Sequence, residues 1–302
     1  MSTIRNNATP KTVSFACGGD HIVGHLFLPD SYDATQRYPA VAIGGSMASV
    51  KEMMAGTYAR ELSQRGIISL AIDYRNYGAS GGAFRQREDP VSKAADLSAA
   101  VEFLAQRSDV AGTGLLGICT SGGNVLDPAS RDNRVKAVAT VVGFFQTGSI
   151  APLLHGGAEG IALRRAQGQE AAKLYHDTRE IKLIKAYGGS AGESASPGSK
   201  PYYEDPARGN IRQWRNEFAV ASWAAWIDWG PVAQASHVKA PTLIVHSEHA
   251  AFPDQAREVY EKLGAQKQIV WMEGMHYDFY DNAETVRSAA DKLAEHFHAY
   301  LC

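Results

Sequence analysis

Cysteine is scarce in this chain, and its three cysteines, Cys17, Cys119 and Cys302, lie far apart. Their number and spacing fit neither a disulfide framework nor a metal site. A run of about 18 apolar residues, the length that spans a bilayer, is also missing. The first residues, MSTIRNNATPKTV, lack the apolar core of a signal peptide. We therefore expect a cytoplasmic protein without a membrane span.

A strong excess of either charge is missing as well, because the formal net charge is -2 over 302 residues. This balance implies no nucleic-acid partner and no anionic-membrane partner. The motifs GxxxxGK[ST] and HExxH are absent, and so is a GxGxxG that follows a strand. Nucleotide and metal chemistry thus have no support in the sequence, and we expect no cofactor and no metal.

Short apolar runs alternate with helical patterns along most of the chain. TVSFACGG and HIVGHLFLP predict an antiparallel pair, and the later apolar runs AVAIGG, ISLAIDY, TGLLGIC, VKAVATVVGFF, TLIVHS and KQIVWMEG predict further strands. Helices are predicted over 51–65, over VSKAADLSAAVEFLAQR, and at the C-terminus, where Val286, Leu293, Phe297 and Leu301 share one face. Fully apolar strands that alternate with helices indicate an α/β fold with a mostly parallel sheet and helices on both faces.

Residues 146–235 interrupt this alternation with charged and small residues. We predict a core of residues 1–145 and 236–302, and a helical cap over 146–235 above the edge of the sheet where ligands bind. Within the cap, AYGGSAGESASPGSKPYYEDP is predicted to be a loop. Trp223 and Trp226 either pack this cap onto the core or line an acyl pocket.

The segment GICTSGG has the pattern of a sharp strand-to-helix turn that presents a nucleophile. Such a turn needs small residues two before and two after the nucleophile. Cys119 is flanked in this way by Gly117 and Ser121, and Ser121 by Cys119 and Gly123. The apolar strand ends at Ile118, so Cys119 lies at its tip, and we favour Cys119 over Ser121. At a helix N-terminus the pKa of this thiol is expected to be lowered.

A base and an acid are needed beside such a nucleophile. His276 follows the last predicted strand in EGMHYDFYD and is the candidate base, because imidazole exchanges protons near neutral pH. The loop after LIVHS should carry the acid. Glu248 follows that strand directly and is preferred, with Asp254 as the alternative.

The developing negative charge on a substrate needs two backbone N–H donors. Thr120, the residue after Cys119, should give one, and the loop after AVAIGG the other. Met47 is the candidate in that loop and Ala48 the alternative. Asp73, which follows the strand ISLAIDY, is interpreted as a structural hydrogen-bonding residue.

Five segments carry a family resemblance: GGSMASVKEMMAGTYARELSQRGI, AIDYRNYGASGG, GICTSGG, LIVHSEHAAFPD and GMHYDFYD. They resemble the α/β-hydrolase superfamily, and within it the dienelactone-hydrolase-like branch. There the turn often reads Gly-x-Cys-x-small-Gly, and the loop after the third strand reads GS-x-x-x-VKE. The resemblance implies a hydrolase with a Cys–acid–His triad, here Cys119, Glu248 and His276.

The expected reaction is cleavage of an ester, lactone or thioester of a small to medium acyl compound through an acyl-enzyme. Acyl transfer or cyclisation on the same scaffold is one alternative. A non-catalytic ligand-binding protein is another, since Ala250 stands where many such enzymes carry the acid. The expected partner is a small-molecule acyl substrate, with neither nucleic acid nor membrane, and a homodimer is compatible with the sequence.

Overall fold

The computed structural model describes residues 9–146, 150–190 and 192–302. Residues 1–8, part of the segment in which no signal peptide was found, lie outside the described residues, as do 147–149 and 191 of the predicted cap. The strands are β1 (Lys11–Cys17), β2 (Asp20–Phe27), β3 (Tyr38–Gly44), β4 (Ile68–Ile72), β5 (Val110–Ile118), β6 (Val135–Val141), β7 (Leu183–Tyr187), β8 (Ser194–Ser196), β9 (Phe218–Ala219), β10 (Thr242–His246) and β11 (Lys267–Trp271). The helices are α1 (Met54–Ser63), α2 (Pro90–Ala105), α3 (Ser121–Asn124), α4 (Leu126–Arg131), α5 (Ile150–His155), α6 (Gly157–Thr178), α7 (Pro201–Glu204), α8 (Ser222–Ile227), α9 (Pro253–Lys262), α10 (Asp278–Asp281) and α11 (Ala283–Leu301), with a 3₁₀ helix at Pro231–His237.

Eight strands form the central sheet, in the order β1-β2-β4-β3-β5-β6-β10-β11. β1 pairs with β2 and β2 with β4 in antiparallel fashion, and every later pair is parallel. The predicted opening pair and the mostly parallel sheet are therefore confirmed. β4 and β10 bury every residue, as strands with helices on both faces should.

Two groups of helices cover the sheet. α1 and α11 pack on each other and on the sheet, and α2 and α4 pack together on the other face. The apolar residues predicted for the closing helix all face the core, and Leu293 and Phe297 are completely buried. Among the described residues, no helix combines the length and the apolar character needed to cross a bilayer.

The segment between β6 and β10 contains more than helices. It carries α5 to α8, but also a small sheet of order β8-β7-β9. The prediction of one continuous loop over the Gly- and Ser-rich stretch is wrong in part, because β8 and α7 lie within it. β8 pairs with β7 through backbone groups such as those of Lys185 and Ser194, and backbone pairing leaves no apolar pattern in the sequence.

The helix after β5 is short and broken. It runs as α3 and α4, which meet at Val125, and it ends at Arg131. Pro128 explains the break, because it has no N–H to donate to the carbonyl group of Asn124 one turn earlier.

The parallel strands place four loops at one edge of the sheet. The loops after β3, β5, β10 and β11 start at residues 45, 119, 247 and 272. In open α/β sheets the carboxyl ends of the strands form the ligand-binding edge. The predicted site residues of all four loops thus lie on the same side of the molecule.

Candidate active site

Cys119 occupies the turn between β5 and α3 in a strained conformation. Its φ is +53°, in the left-handed region that side chains other than glycine rarely adopt. A Cβ atom added at Gly117 would lie 2.1 Å from the carbonyl oxygen of Ser121, so the turn closes only around glycine there. Strain of this kind costs about 1–3 kcal/mol and is concentrated at functional sites. It is the geometry that a nucleophile-bearing turn requires.

Ser121 points into the protein beneath this turn. It is fully buried. Its Oγ donates a hydrogen bond to the carbonyl oxygen of Gly45 over 2.5 Å and shares another with the hydroxyl of Tyr74 over 2.6 Å. These contacts give Ser121 a role in joining the turn to the loop after β3.

The loop after β3 places Met47 beside the turn. The Met47 amide donates to Oγ1 of Thr120 over 3.1 Å, and that oxygen lies 3.8 Å from the Cys119 sulfur. The Ala48 amide, the alternative donor, is bound to the buried carboxylate of Glu88 over 3.1 Å. Met47 and Thr120 thus lie together next to Cys119, while the Ala48 amide is bound to Glu88; the role of Met47 and Thr120 as oxyanion donors stays a prediction.

Asp73 holds the loop after β3 through hydrogen bonds. Its buried carboxylate accepts hydrogen bonds from the Lys51 amide at 2.7 Å, the Lys51 ammonium group at 2.8 Å and the Ala79 amide at 2.8 Å. The structural role predicted for Asp73 agrees with these contacts.

His276 lies in the loop after β11, next to Tyr280 of α10. Its Nε2 is 3.0 Å from the Tyr280 hydroxyl, and its Nδ1 accepts a hydrogen bond from the Ala251 amide over 3.4 Å. Burial lowers the pKa of His276 to about 3, with further lowering by His246 and Lys200. The ring is therefore neutral at physiological pH.

The predicted acids are held by an arginine rather than by the histidine. Glu248 forms an ion pair with Arg257, and Asp254 pairs with the same guanidinium group over 3.0 Å. Both carboxylates are exposed to solvent. In the part of the chain that the structure describes, neither carboxylate hydrogen-bonds to His276. The assignment of Glu248 as the acid stays a prediction that this geometry does not favour.

Neutralising either carboxylate should leave activity nearly unchanged. From the geometry we expect Glu248→Gln and Asp254→Asn to change kcat/KM by less than about threefold, because exposed ion pairs contribute roughly 1 kcal/mol or less. Steady-state kinetics on a p-nitrophenyl ester measures this. A loss of tenfold or more in Glu248→Gln alone would identify Glu248 as the triad acid.

A family model places this site within a known group of proteins. The model of the X-Pro dipeptidyl-peptidase (S15) family matches residues 18–278, which include all of the site residues above. The chain belongs to the S15 family.

Individual relatives of this S15-family chain support the same fold. The protein PA2218 of Pseudomonas aeruginosa is 27% identical over 308 residues, which cover 94% of this chain and 78% of PA2218. Its crystal structure superposes with a TM-score of 0.82 at 25% identity, covering 96% of this chain and 93% of that one. The dienelactone hydrolase of Anabaena variabilis superposes with a TM-score of 0.56 at 17% identity over 97% of this chain and 99% of that one, which shows a shared fold alone.

A shorter match is to an enzyme with a stated activity. The thiohydrolase AneE of Aspergillus aculeatus is 36% identical over 105 residues, which span 34% of this chain and 33% of that enzyme. Together with the family, these likenesses confirm the predicted α/β-hydrolase superfamily. This S15-family protein is an α/β-hydrolase-fold enzyme and a hydrolase.

Burial reverses the expected shift of the Cys119 pKa in this S15-family site. Burial raises the pKa of the Cys119 thiol, and hydrogen bonds from Tyr280 and Thr120 offset only part of that rise. The expectation of a lowered pKa is wrong because burial disfavours the charged thiolate by more than these hydrogen bonds favour it. Thiol and imidazole therefore coexist as neutral groups.

Four tyrosines that the sequence did not predict lie near the Cys119 sulfur. The hydroxyl groups of Tyr187, Tyr203, Tyr277 and Tyr280 are near enough for the Cys119 thiolate to raise their pKa values. Tyr187 and Tyr203 stack at 3.7 Å, and their hydroxyl groups bind the carbonyl oxygen of Met47 and Oγ of Ser46. Of these tyrosines, Tyr280 could have been predicted from the sequence to lie near His276, because it follows His276 by four residues.

The two tryptophans predicted to bind substrate are buried. Trp223 packs against Phe218 with ring centroids 4.8 Å apart, and Trp226 stacks on Trp229 at 5.2 Å and on Phe144 at 6.1 Å. The Phe144 amide donates to the carbonyl oxygen of Cys119 over 2.7 Å, so the Trp226 group backs the turn. Packing explains both tryptophans, and their role in substrate binding stays a prediction.

Side chains that could bind a metal ion do not cluster in the described part of the chain. Within residues 9–146, 150–190 and 192–302, no group of three or more His, Cys, Asp or Glu side chains is placed to hold a metal ion.

Proposed function

We propose that this hydrolase cleaves an ester, lactone or thioester of a small to medium acyl compound, with Cys119 as the nucleophile. The observation that carries the proposal is the strained turn at Cys119, where φ is +53°. At this turn the sulfur lies 3.8 Å from Oγ1 of Thr120, which binds the Met47 amide, and it is near Tyr280, whose hydroxyl group contacts His276. Cys119 is one of seven described non-glycine residues with positive φ, and it is the one of them that carries a nucleophilic side chain.

In the acylation step, the Cys119 sulfur forms a bond to the carbonyl carbon and the bond to the leaving group breaks. The amides of Met47 and Thr120 are proposed to bind the oxygen that becomes negative, once Oγ1 of Thr120 gives up its bond from Met47. The thiol loses its proton to solvent before the attack, and a thiolate or nitrophenolate leaving group departs as its anion. His276 is proposed as the histidine of the site, and its low pKa makes it a weak proton donor to poorer leaving groups. Water then attacks the thioester of the acyl-enzyme, which releases the acid and restores the thiol.

Two observations support the choice of substrate class. The chain resembles a thiohydrolase at 36% identity over 105 residues. The side chains of Tyr187, Tyr203 and Tyr277 lie near enough to Cys119 for a thiolate there to raise their pKa values. Aromatic rings near the sulfur suit the apolar chain of an acyl group better than a charged one. A small-molecule acyl compound is the only partner that this proposal needs.

The proposal is tested by trapping the acyl-enzyme. Brief mixing with p-nitrophenyl butanoate, acid quench and intact-mass spectrometry should show one added butanoyl group, which peptide mapping places on Cys119. A thioester should form because deacylation of a buried thioester is slow relative to acylation by an activated ester. The same treatment of Cys17→Ala should give the same adduct.

An adduct on Ser121, or turnover with no adduct on any peptide, would contradict the assignment of Cys119. Hydroxylamine added after trapping separates two outcomes of deacylation. Release of butanoyl hydroxamate faster than hydrolysis would favour acyl transfer over hydrolysis as the natural reaction.

A further inference from the structure

Tyr280 is a buried tyrosine that lies between the sulfur of Cys119 and the imidazole of His276. Its side chain is 1% exposed, and its ring packs edge-on against that of His276, with centroids 5.3 Å apart. The hydroxyl oxygen is 3.0 Å from Nε2 of His276. The same hydroxyl group is near enough to the Cys119 thiol to lower the pKa of the thiol, and its own pKa is raised in turn. The Tyr280 hydroxyl group thus lies between the Cys119 thiol and the His276 imidazole.

The Ala251 amide fixes where the proton of His276 resides. Its N–H points at Nδ1, which therefore acts as an acceptor and carries no proton. Since the ring is neutral, its single proton is on Nε2, and Nε2 donates to the Tyr280 oxygen. The hydroxyl proton of Tyr280 must then point away from His276, and Cys119 is the neighbouring group whose pKa this hydroxyl lowers.

We propose that Tyr280 is a catalytic residue whose hydroxyl group donates a hydrogen bond to the Cys119 thiolate, with His276 and the Ala251 amide as positioning groups behind it. The inference rests on the proposed function, because it gives Tyr280 a purpose only if Cys119 is the nucleophile. The backbone amide of Ala251 occupies the place at Nδ1 where a triad carboxylate would accept a proton.

A hydrogen-bond donor beside the Cys119 sulfur would stabilise a thiolate that burial otherwise disfavours. Burial disfavours the thiolate, and a hydrogen bond to an anion in a poorly solvated site is about twice as strong as one between neutral groups. The other polar or charged side chains that face the sulfur are Lys93 of α2, Thr120 of the turn, Tyr187 of β7, Tyr203 of α7, and His276 and Tyr277 of the loop after β11. Lys93 is paired with Glu88, and Tyr187 and Tyr203 are bound to the loop after β3. Tyr280 and Thr120 are the residues whose side-chain hydrogen bonds lower the pKa of the thiol, and Tyr277 makes no such contribution.

The test is the pH profile of Cys119 alkylation by iodoacetamide, followed by peptide mass spectrometry. In Tyr280→Phe we expect the apparent pKa of Cys119 to rise and alkylation at pH 7 to slow by about tenfold or more, the effect of losing a hydrogen bond to an anion. The limiting rate at high pH should be unchanged. Tyr58→Phe is the matched control, since the Tyr58 hydroxyl is buried without a partner, and its alkylation profile should equal that of the wild type.

The second measurement is a double-mutant cycle with His276→Ala. If His276 acts on the sulfur only through Tyr280, the double variant is alkylated as slowly as Tyr280→Phe and no slower. A wild-type profile in Tyr280→Phe, with unchanged thermal unfolding, would overturn the donor role. So would a double variant in which the two effects multiply, because His276 would then act on the sulfur directly. If Tyr280→Phe does not fold, the His276→Ala variant alone serves as the test. An alkylation profile unchanged from that of the wild type would then overturn the proposed link from His276 through Tyr280 to Cys119.

This test is separate from that of the proposed function, since alkylation needs no substrate turnover. Hydrolysis that survives in Cys119→Ala would overturn the proposed function whatever the alkylation profile is. An inactive Cys119→Ala together with a normal profile in Tyr280→Phe would overturn only the role of Tyr280.

Discussion

Replacing Cys119 with alanine is expected to lower kcat/KM for an activated ester by at least about a thousandfold, because it removes the thiol proposed to form the acyl-enzyme. The strained turn should persist, since alanine keeps the Cβ atom and removes only the sulfur. Cys17→Ala is the matched control. Cys17 is also half-buried, and Arg75 binds its sulfur over 3.0 Å far from the turn, so its loss should leave kcat/KM unchanged.

The companion variant Ser121→Ala separates the two readings of GICTSGG. It should retain the acyl-enzyme and lose stability by about 1–3 kcal/mol, because the buried hydroxyl of Tyr74 and the carbonyl oxygen of Gly45 lose a partner. Thermal unfolding and burst kinetics measure the two effects. Activity that survives in Cys119→Ala and disappears in Ser121→Ala would make Ser121 the nucleophile.

The fold could be predicted from the sequence where local pattern and tertiary burial agree. β3 to β6, β10 and the closing helix α11 all read as apolar runs of the right period, and each lies where the sheet needs it. The small sheet of the insertion escaped because β8 is held by backbone pairing with β7 and has the sequence Ser194–Ser196, which carries no apolar pattern.

The site divides in the same way. Cys119, Thr120 and Met47 follow from a short motif, because a sharp turn constrains residues that are neighbours in sequence. The surroundings of His276 depend on contacts that sequence spacing does not encode. Arg257 of α9 forms ion pairs with both candidate acids, Glu248 and Asp254. The backbone amide of Ala251 binds the imidazole of His276 instead. The raised pKa of Cys119 likewise comes from burial, which a sequence motif does not report.

A second large effect is expected from the leaving group of the substrate. For one acyl group, a thioester or p-nitrophenyl ester should be cleaved at least about a hundredfold faster than the ethyl ester, and an X-Pro p-nitroanilide should not be cleaved. Ethoxide and amines leave only with a proton, and general acids contribute about 10²–10⁴-fold to such steps. His276 is a poor acid here, because its pKa is lowered to about 3 and no carboxylate in the described residues supports its charged form. Thiolates and nitrophenolates leave without that help.

The measurement is kcat/KM over a series of butanoyl substrates, each normalised to its reaction with free cysteine to remove intrinsic reactivity.

The pH dependence of kcat/KM is an independent test of the protonation states of His276 and Cys119. A group whose pKa is lowered to about 3 is already neutral between pH 5 and 8, so the profile should show no inflection near 6.5. The raised pKa of Cys119 keeps the thiolate a minor form, so kcat/KM should rise about tenfold per pH unit toward pH 9. An ethyl ester within tenfold of the thioester, together with an inflection near pH 6.5, would mean that His276 is charged and active as an acid, and that the loop at Ala251 rearranges when substrate binds.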